Sequence, residues 1–154
     1  MQVQEMSLDD VMPLRLMILR VNTPSVTAHY AEDADPSTVH LGIRKDGVVV
    51  ACSTWITRPF PAIDDSSGSA DMPATQLKGM AVARHLQGQG LGATILEAGA
   101  QHAIANSTGL IWARARDSAL GFYQRNGFVV VGSMFLDDAT GMPHHHVKLN
   151  LANP

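Results

Sequence analysis

The sequence is poor in what several large classes of protein need. It has one cysteine, Cys52, so no internal disulfide can form. That fits a reducing compartment and leads us to expect a cytoplasmic protein. Charged residues make up 16% of the chain, the net charge is −3, and there is no run of Lys or Arg. Electrostatic binding to nucleic acid or to an anionic membrane surface is therefore not expected as the main activity. No apolar stretch approaches the roughly 20 residues that cross a bilayer. Met1 to Met6 lacks the basic segment followed by an apolar one that marks a signal peptide.

What is present is globular. Apolar residues make up 45% of 154, enough for one core, and we expect a single domain spanning 1–154. Val3 to Met6 reads as an edge strand. Ser7 with Asp10 looks like a helix cap, but Pro13 sits badly inside a helix. The expectation is a turn, then a helix from about Pro13 to Arg20. Val39 to Arg44, the turn Asp46-Gly47 and Val48 to Ile56 read as a hairpin. Pro59 to Pro73 is a long loop. Thr75 to Val82 reads as a strand. A helix follows a glycine-rich turn and runs to about Ala105, with Leu91, Ile95, Ala98 and His102 on one stripe. Leu110 to Ala115 is a strand, and Asp117 or Ser118 caps a short helix ending at Asn126-Gly127. Phe128 to Leu136 and His144 to Leu151 are strands joined by the turn Asp137 to Pro143. The order is mixed α/β.

Gln87-Gly88-Gln89-Gly90-Leu91-Gly92 stands where a strand gives way to a helix. Glycine permits a tight turn and a close approach to the amides. The first amides of a helix lack partners within it, and the dipole there favours anions. A phosphate or pyrophosphate is the expected ligand, and a tight turn without a ligand is the plain alternative. A P-loop needs Gly-Lys-Ser/Thr, which is missing. A dinucleotide fold needs an acidic residue about 20 positions on; after Glu97 the first is Asp117.

With these residues in view, the chain resembles the GNAT superfamily of N-acetyltransferases from about Gln76 to Val147. Gln76-Leu77-Lys78-Gly79-Met80-Ala81-Val82 looks like the family's fourth strand. Gln87-x-x-Gly90-x-Gly92 matches its pyrophosphate motif. Ala115-Arg116-x-x-Ala119-x-x-Phe122-Tyr123-x-x-x-Gly127-Phe128 looks like the segment after its fifth strand. Gly141-x-Pro143-His144 is similar to a late feature of one bacterial branch. The resemblance implies a mixed, mostly antiparallel twisted sheet with strands four and five splayed apart, flanked by about four helices. It implies acetyl-CoA as co-substrate, no metal, and a small or peptidic amine as acceptor. A homodimer through the C-terminal strands is ordinary for it.

The same resemblance assigns roles. Amides of Met80, Ala81 and Val82 would pair with the pantetheine arm, one facing the thioester carbonyl as an oxyanion donor. Gln87, Gly88, Gln89, Gly90, Leu91, Gly92 and Ala93 would hold the pyrophosphate, with Arg84 a candidate for the adenosine 3′-phosphate. Arg116 and Phe122 fall in the cofactor-binding set. Tyr123 would give a proton to the leaving sulfur, since a tyrosine stays protonated at neutral pH.

Two departures stand out. Many members carry Asn where this chain has Arg116. Many place a Glu on strand four as the base, and here the strand offers Gln76 and Lys78, so the base is unassigned. His144 follows Gly-x-Pro and is a candidate to contact the acceptor or relay its proton; a strand-end surface histidine is the alternative. In a strand, His144 and His146 share one face and His145 the other, too few ligands for a structural zinc. Cys52 lies in an apolar run and reads as a buried thiol, not a nucleophile. Trp55 and Trp112 read as core residues, and Met12, Met17, Met80 and Met134 as fillers of core or cleft. Asp9, Asp10, Glu32, Asp33 and Asp35 are candidates to attract a cationic acceptor. Two other functions compete. One is a non-catalytic acyl-CoA sensor on the same fold, favoured by the missing acid. The other is a nucleotide-binding protein of another fold.

Overall fold

The computed structural model describes residues 2–63 and 72–151. Seven strands follow the order β1-β2-β3-β4-β5-β7-β6 in one sheet. They are β1 (Val3–Met6), β2 (Val39–Lys45), β3 (Val48–Thr57), β4 (Ala74–Val82), β5 (Leu110–Arg116), β6 (Val129–Leu136) and β7 (Pro143–Asn150). The helices are α1 (Leu8–Leu19), α2 (Leu91–Ala105) and α3 (Leu120–Arg125), so the described residues hold three α-helices where about four were expected. Short 3₁₀ turns at Ala31–Ala34, Arg84–Leu86 and Asp117–Ala119 take up the remainder. β1–β2, β2–β3, β5–β7 and β6–β7 pair antiparallel. β4 and β5 pair parallel from Ala74↔Leu110 to Leu77↔Ala113. A parallel pair needs a crossover, and α2 supplies it. The ladder is short: β4 runs on to Val82, and β5 runs on to Arg116 while paired with β7.

The chain forms two compact units interleaved in sequence, Met1–Ile56 with Lys78–Gly99, and Thr57–Leu77 with Ala100–Pro154. In the first, α1 starts at Leu8, five residues before the expected Pro13. The reason is the cap. Ser7 Oγ accepts from Asp10 N at 3.2 Å and Asp10 Oδ2 accepts from Ser7 N at 3.1 Å, a complete capping box. Pro13 lies inside the helix, where it forgoes one backbone hydrogen bond, while Val11, Leu14 and Arg15 are buried around it. Asp46 (φ 52°) and Gly47 (φ 80°) close the β2–β3 hairpin with both central residues left-handed, as a type I′ turn requires. Trp55 is 1% exposed, and a Cβ placed on Gly99 of α2 would lie 1.9 Å from its Cζ2. The indole therefore packs directly on the helix backbone. Cys52 is fully buried, and burial pushes its thiol up to about 12, consistent with an inert structural thiol.

In the second unit, Phe60, Ala74, Leu110, Trp112 and Val131 form the core, with Ile63 and Met72 packed against it. The Trp112 indole donates to Arg58 O at 2.9 Å. β6 ends the strand order and is irregular between Val131 and Phe135, with Gly132 at φ 77°. Met134 on β6 and Met17 on α1 are exposed, which corrects the expectation that both fill interior space. The expected loop from Pro59 to Pro73 is irregular where described, and its residues 64–71 lie outside the described residues.

Candidate active site

The first unit holds the glycine-rich turn. β4 delivers Met80, Ala81 and Val82 to its C-terminal end, with Ala81 buried and its neighbours half-buried. The Gln87 amide reaches back and donates to Val82 O at 3.0 Å, tying the turn to the strand. Gly88 (φ 79°) and Gly90 (φ 87°) are both left-handed, and a Cβ on either would meet nothing within 4 Å. The backbone thus needs glycine for conformation, and the space above it is open. α2 then starts, and its first intrahelical bond runs from Thr94 N to Gly90 O at 3.1 Å. The amides of Leu91, Gly92 and Ala93 precede that bond and have no acceptor within the helix. No acidic residue occupies the first turn. The arrangement offers amides and a positive dipole end to an anion, with no side-chain charge competing for it. It fits a pyrophosphate. Arg84 is exposed on the 3₁₀ turn just before.

β4 also has a feature that its sequence pattern does not announce. Gly79 sits inside the strand at φ 63°, a break in regular extension just before Met80. A Cβ there would lie 3.1 Å from Arg15 Nε and 3.2 Å from Tyr30 Cε2. Arg15 is fully buried, and its guanidinium pairs with both oxygens of Asp33 at 2.8 and 2.9 Å and donates to Ala28 O at 3.0 Å. It also donates to Thr54 Oγ1, which bonds His40 Nδ1 at 2.8 Å. The Tyr30 ring lies 4.4 Å from the Arg15 guanidinium and 4.6 Å from Lys78 Nζ, and Lys78 pairs with Glu32 at 2.8 Å. Burial alone would raise the Asp33 carboxyl, but the Arg15 hydrogen bonds, the Tyr30 amide and the Arg15 charge outweigh it and hold it low. Glu32 and Asp33 therefore serve internal pairs. Asp35 accepts from Ser37 N and Oγ at 2.8 Å, and Asp10 serves its cap and pairs with Arg44 at 3.0 Å. The expectation that these acids attract an acceptor is not favoured by these contacts. The partners of Glu32 and Asp33, Lys78 and Arg15, lie too far along the chain to be read from pattern.

The second unit holds the other candidates. Arg116 ends β5, half-buried, and pairs in register with His144 of β7. Phe122 and Tyr123 lie on α3, their ring centroids 5.2 Å apart, and Tyr123 is 6% exposed with Phe128 at 5.2 Å on edge. His144 is also 6% exposed, so it is not a surface histidine. Its Nδ1 donates to Met142 O at 2.9 Å, which leaves Nε2 as the acceptor nitrogen of the neutral ring. The turn before it is held by Asp137, whose carboxylate accepts from Ala139 N, Thr140 N and Thr140 Oγ1. His146 stacks on Phe135, centroids 4.6 Å apart, and burial followed by the Arg114 charge lowers its pKa. Neither Asp117 nor Ser118 caps α3. Asp117 instead accepts from His145 Nδ1 at 2.6 Å. Among the described residues no three His, Cys, Asp or Glu side chains are grouped to hold a metal ion.

Known proteins resemble this chain in sequence and in fold. A sequence model of the acetyltransferase (GNAT) family matches residues 9–128. A Bacillus subtilis (strain 168) protein described as the uncharacterized N-acetyltransferase YitI is 28% identical over 148 residues, covering 96% of this chain and 93% of that one. The crystal structure of Escherichia coli ElaA superposes with a TM-score of 0.76 at 17% identity, covering 97% of this chain and 99% of the other. An aminoglycoside 6′-N-acetyltransferase in complex with coenzyme A superposes with a TM-score of 0.70 at 12% identity, covering 100% and 99%.

Proposed function

The chain belongs to the GNAT acetyltransferase family, and we propose that it moves the acetyl group of acetyl-CoA onto a primary amine by direct attack, as one catalytic domain in the cytoplasm. The observation that carries this reading is the open left-handed turn at Gly88 and Gly90, leading into a first helical turn without acid. Acetyl-CoA supplies a thioester whose C–S bond breaks as the amine nitrogen bonds to the carbonyl carbon. The amides of Gly88 to Ala93 bind its pyrophosphate, and Gln87 fixes their turn. The amides of Met80, Ala81 and Val82 orient the pantetheine arm and stabilise the carbonyl oxygen as it gains charge. Arg116 and Phe122 complete the hold on the arm.

Tyr123 gives its proton to the departing sulfur. The attacking amine gives up a proton in the same turnover, and His144 Nε2 is the group we assign to receive or relay it. The Met142 carbonyl supports this role, because it holds Nδ1 as the donor and leaves Nε2 basic. The working form is a homodimer through the C-terminal strands. In support, β6 ends the strand order with Val129, Met134 and Leu136 exposed.

Calorimetric titration with acetyl-CoA, beside ATP and NAD as controls and a Gly90→Glu variant, tests the reading. Selective binding of acetyl-CoA that the variant loses is expected, followed by acetyl transfer in a screen of primary amines. Binding without transfer to any amine favours a sensor. No binding of acetyl-CoA sinks both. With an acceptor in hand, full activity of His144→Ala removes that residue from the mechanism.

A further inference from the structure

The segment that carries Tyr123 enters its helix without a cap. After β5 ends at Arg116 the chain passes through the 3₁₀ turn Asp117–Ala119 into α3, and neither start has a side-chain cap hydrogen bond. α3 has six residues, against the roughly 12 that an isolated helix needs to sustain itself. Its far end is well fixed. Gly127 is left-handed at φ 92°, Gly127 N donates to Gln124 O, Phe128 N donates to Tyr123 O, and Asn126 Nδ2 donates to Phe122 O at 2.8 Å. At the near end the N-cap positions are Arg116 and Ala119, and Asp117, expected from sequence as a cap, does something else. Asp117 Oδ1 accepts from His145 Nδ1 at 2.6 Å.

His145 lies on β7 opposite Ala115 of β5, and the β5–β7 ladder closes with Arg116↔His144. Asp117 is thus the first residue beyond the ladder, and its carboxylate is hooked back onto the strand that the ladder has just left. The pair is partly open to solvent, with side chains 21% and 35% exposed, and the reaction as proposed does not use it. His145 Nδ1 can donate to the carboxylate from the charged ring and from the neutral tautomer that carries its hydrogen on Nδ1. The contact has the properties of a clamp.

We propose that Asp117 and His145 are positioning residues. Together they tie the entry of α3 to β7 and so hold the Tyr123 hydroxyl where the leaving sulfur needs its proton. This rests on the reading of Tyr123 as the acid. A reacting group displaced by about 1 Å can lose on the order of 100-fold in rate, so a loosened α3 registers mainly in turnover.

The test uses His145→Phe, Asp117→Ala and His145→Asn, whose side-chain amide can still donate to Asp117. Each is made alone and with Tyr123→Phe. His145→Phe and Asp117→Ala are expected to lower kcat about tenfold with KM for acetyl-CoA nearly unchanged, and His145→Asn to recover most of it. In the Tyr123→Phe background, His145→Phe should cost nothing further, because no hydroxyl is left to place. Independently of activity, amide exchange over 120–126 in the ligand-free protein should quicken about tenfold in His145→Phe and return in His145→Asn. Unchanged exchange in His145→Phe overturns the clamp. An equal loss of kcat with and without the Tyr123 hydroxyl overturns its action through Tyr123. If the exchange pattern holds while the wild-type protein transfers no acetyl, the clamp on α3 stands and the functional reading is what fails.

Discussion

Helices α1 and α2 each follow a strand and a short turn, and each begins with amides that have no partner inside the helix. They resolve this in opposite ways. At α1, Ser7 and Asp10 satisfy each other's backbone in a capping box, and Asp9 and Asp10 place negative charge on the dipole end. At α2, Gly88 and Gly90 carry no side chain, and the first turn, Leu91 to Thr94, has no acid. One end is closed by its own residues and the other is left for a ligand. The difference also shows what α2 must obtain elsewhere. A helix that leaves its first turn uncapped needs its stability from packing, and Trp55 against Gly99 is one such contact, with no room for a Cβ.

The largest expected effect follows from that contact. Gly99→Leu would drive a side chain into the indole, and even Gly99→Ala would put its Cβ 1.9 Å from Trp55 Cζ2. We expect Gly99→Ala to cost about 3 kcal/mol in urea unfolding, and Gly99→Leu to prevent folding. A Gly99→Ala variant as stable as the wild type would mean that α2 is not anchored by this packing. Next comes the opening itself. Ala93→Asp places at α2 the acid that Asp10 supplies at α1, at the third position of each helix. Affinity for acetyl-CoA should fall at least about tenfold while the melting temperature holds or rises, because the acid satisfies the dipole that the pyrophosphate would otherwise meet. Calorimetry and thermal unfolding on the same samples check both halves. The reciprocal change, Ser7→Ala, should cost about 1 kcal/mol of stability and leave acetyl-CoA affinity alone.

The two helix starts also show what the sequence makes legible. The capping box is local, with both partners within three residues, and so is the glycine turn; both were readable. The hairpin at Asp46-Gly47 was readable for the same reason. Pro13 misled, because its local penalty is outweighed by the buried face that Val11, Leu14 and Arg15 form. Asp117 misled in the other direction. It has the right type for a cap but stands between the N-cap positions Arg116 and Ala119, and its actual partner, His145, is 28 positions away. The left-handed Gly79 and the Arg15–Asp33–Tyr30 cluster behind it were likewise invisible, since the close approach that demands glycine is made by side chains from α1 and the segment after it. Tyr123 and His144 were singled out through the family resemblance. Their burial and hydrogen bonds came only with the fold.

The smallest effect concerns acid, and it separates the interior beneath α1 from the mouth of α2. No titratable side chain lies between His85 and Glu97. Arg15 of α1, by contrast, shares Thr54 with His40. Burial, and then the Arg15 charge, lowers the His40 pKa below its ordinary 6.5, and burial with Arg114 does the same to His146 in the second unit. In the unfolded chain both rings take up protons near pH 6.5, whereas in the folded chain they resist until lower pH. The unfolded state then binds more protons in that window, so stability rises with pH through it and is lost as pH falls through the lowered pKa values. Urea unfolding from pH 8 to pH 5 should show stability flat above about 7 and declining below about 6.5. His40→Asn, which keeps a donor for Thr54, should remove part of that decline, and His146→Phe, which keeps a ring against Phe135, should remove another part. A decline that neither substitution reduces would place the acid sensitivity at another group, and Asp33 is not that group, because its lowered carboxyl predicts a separate loss only below about pH 4, outside this window.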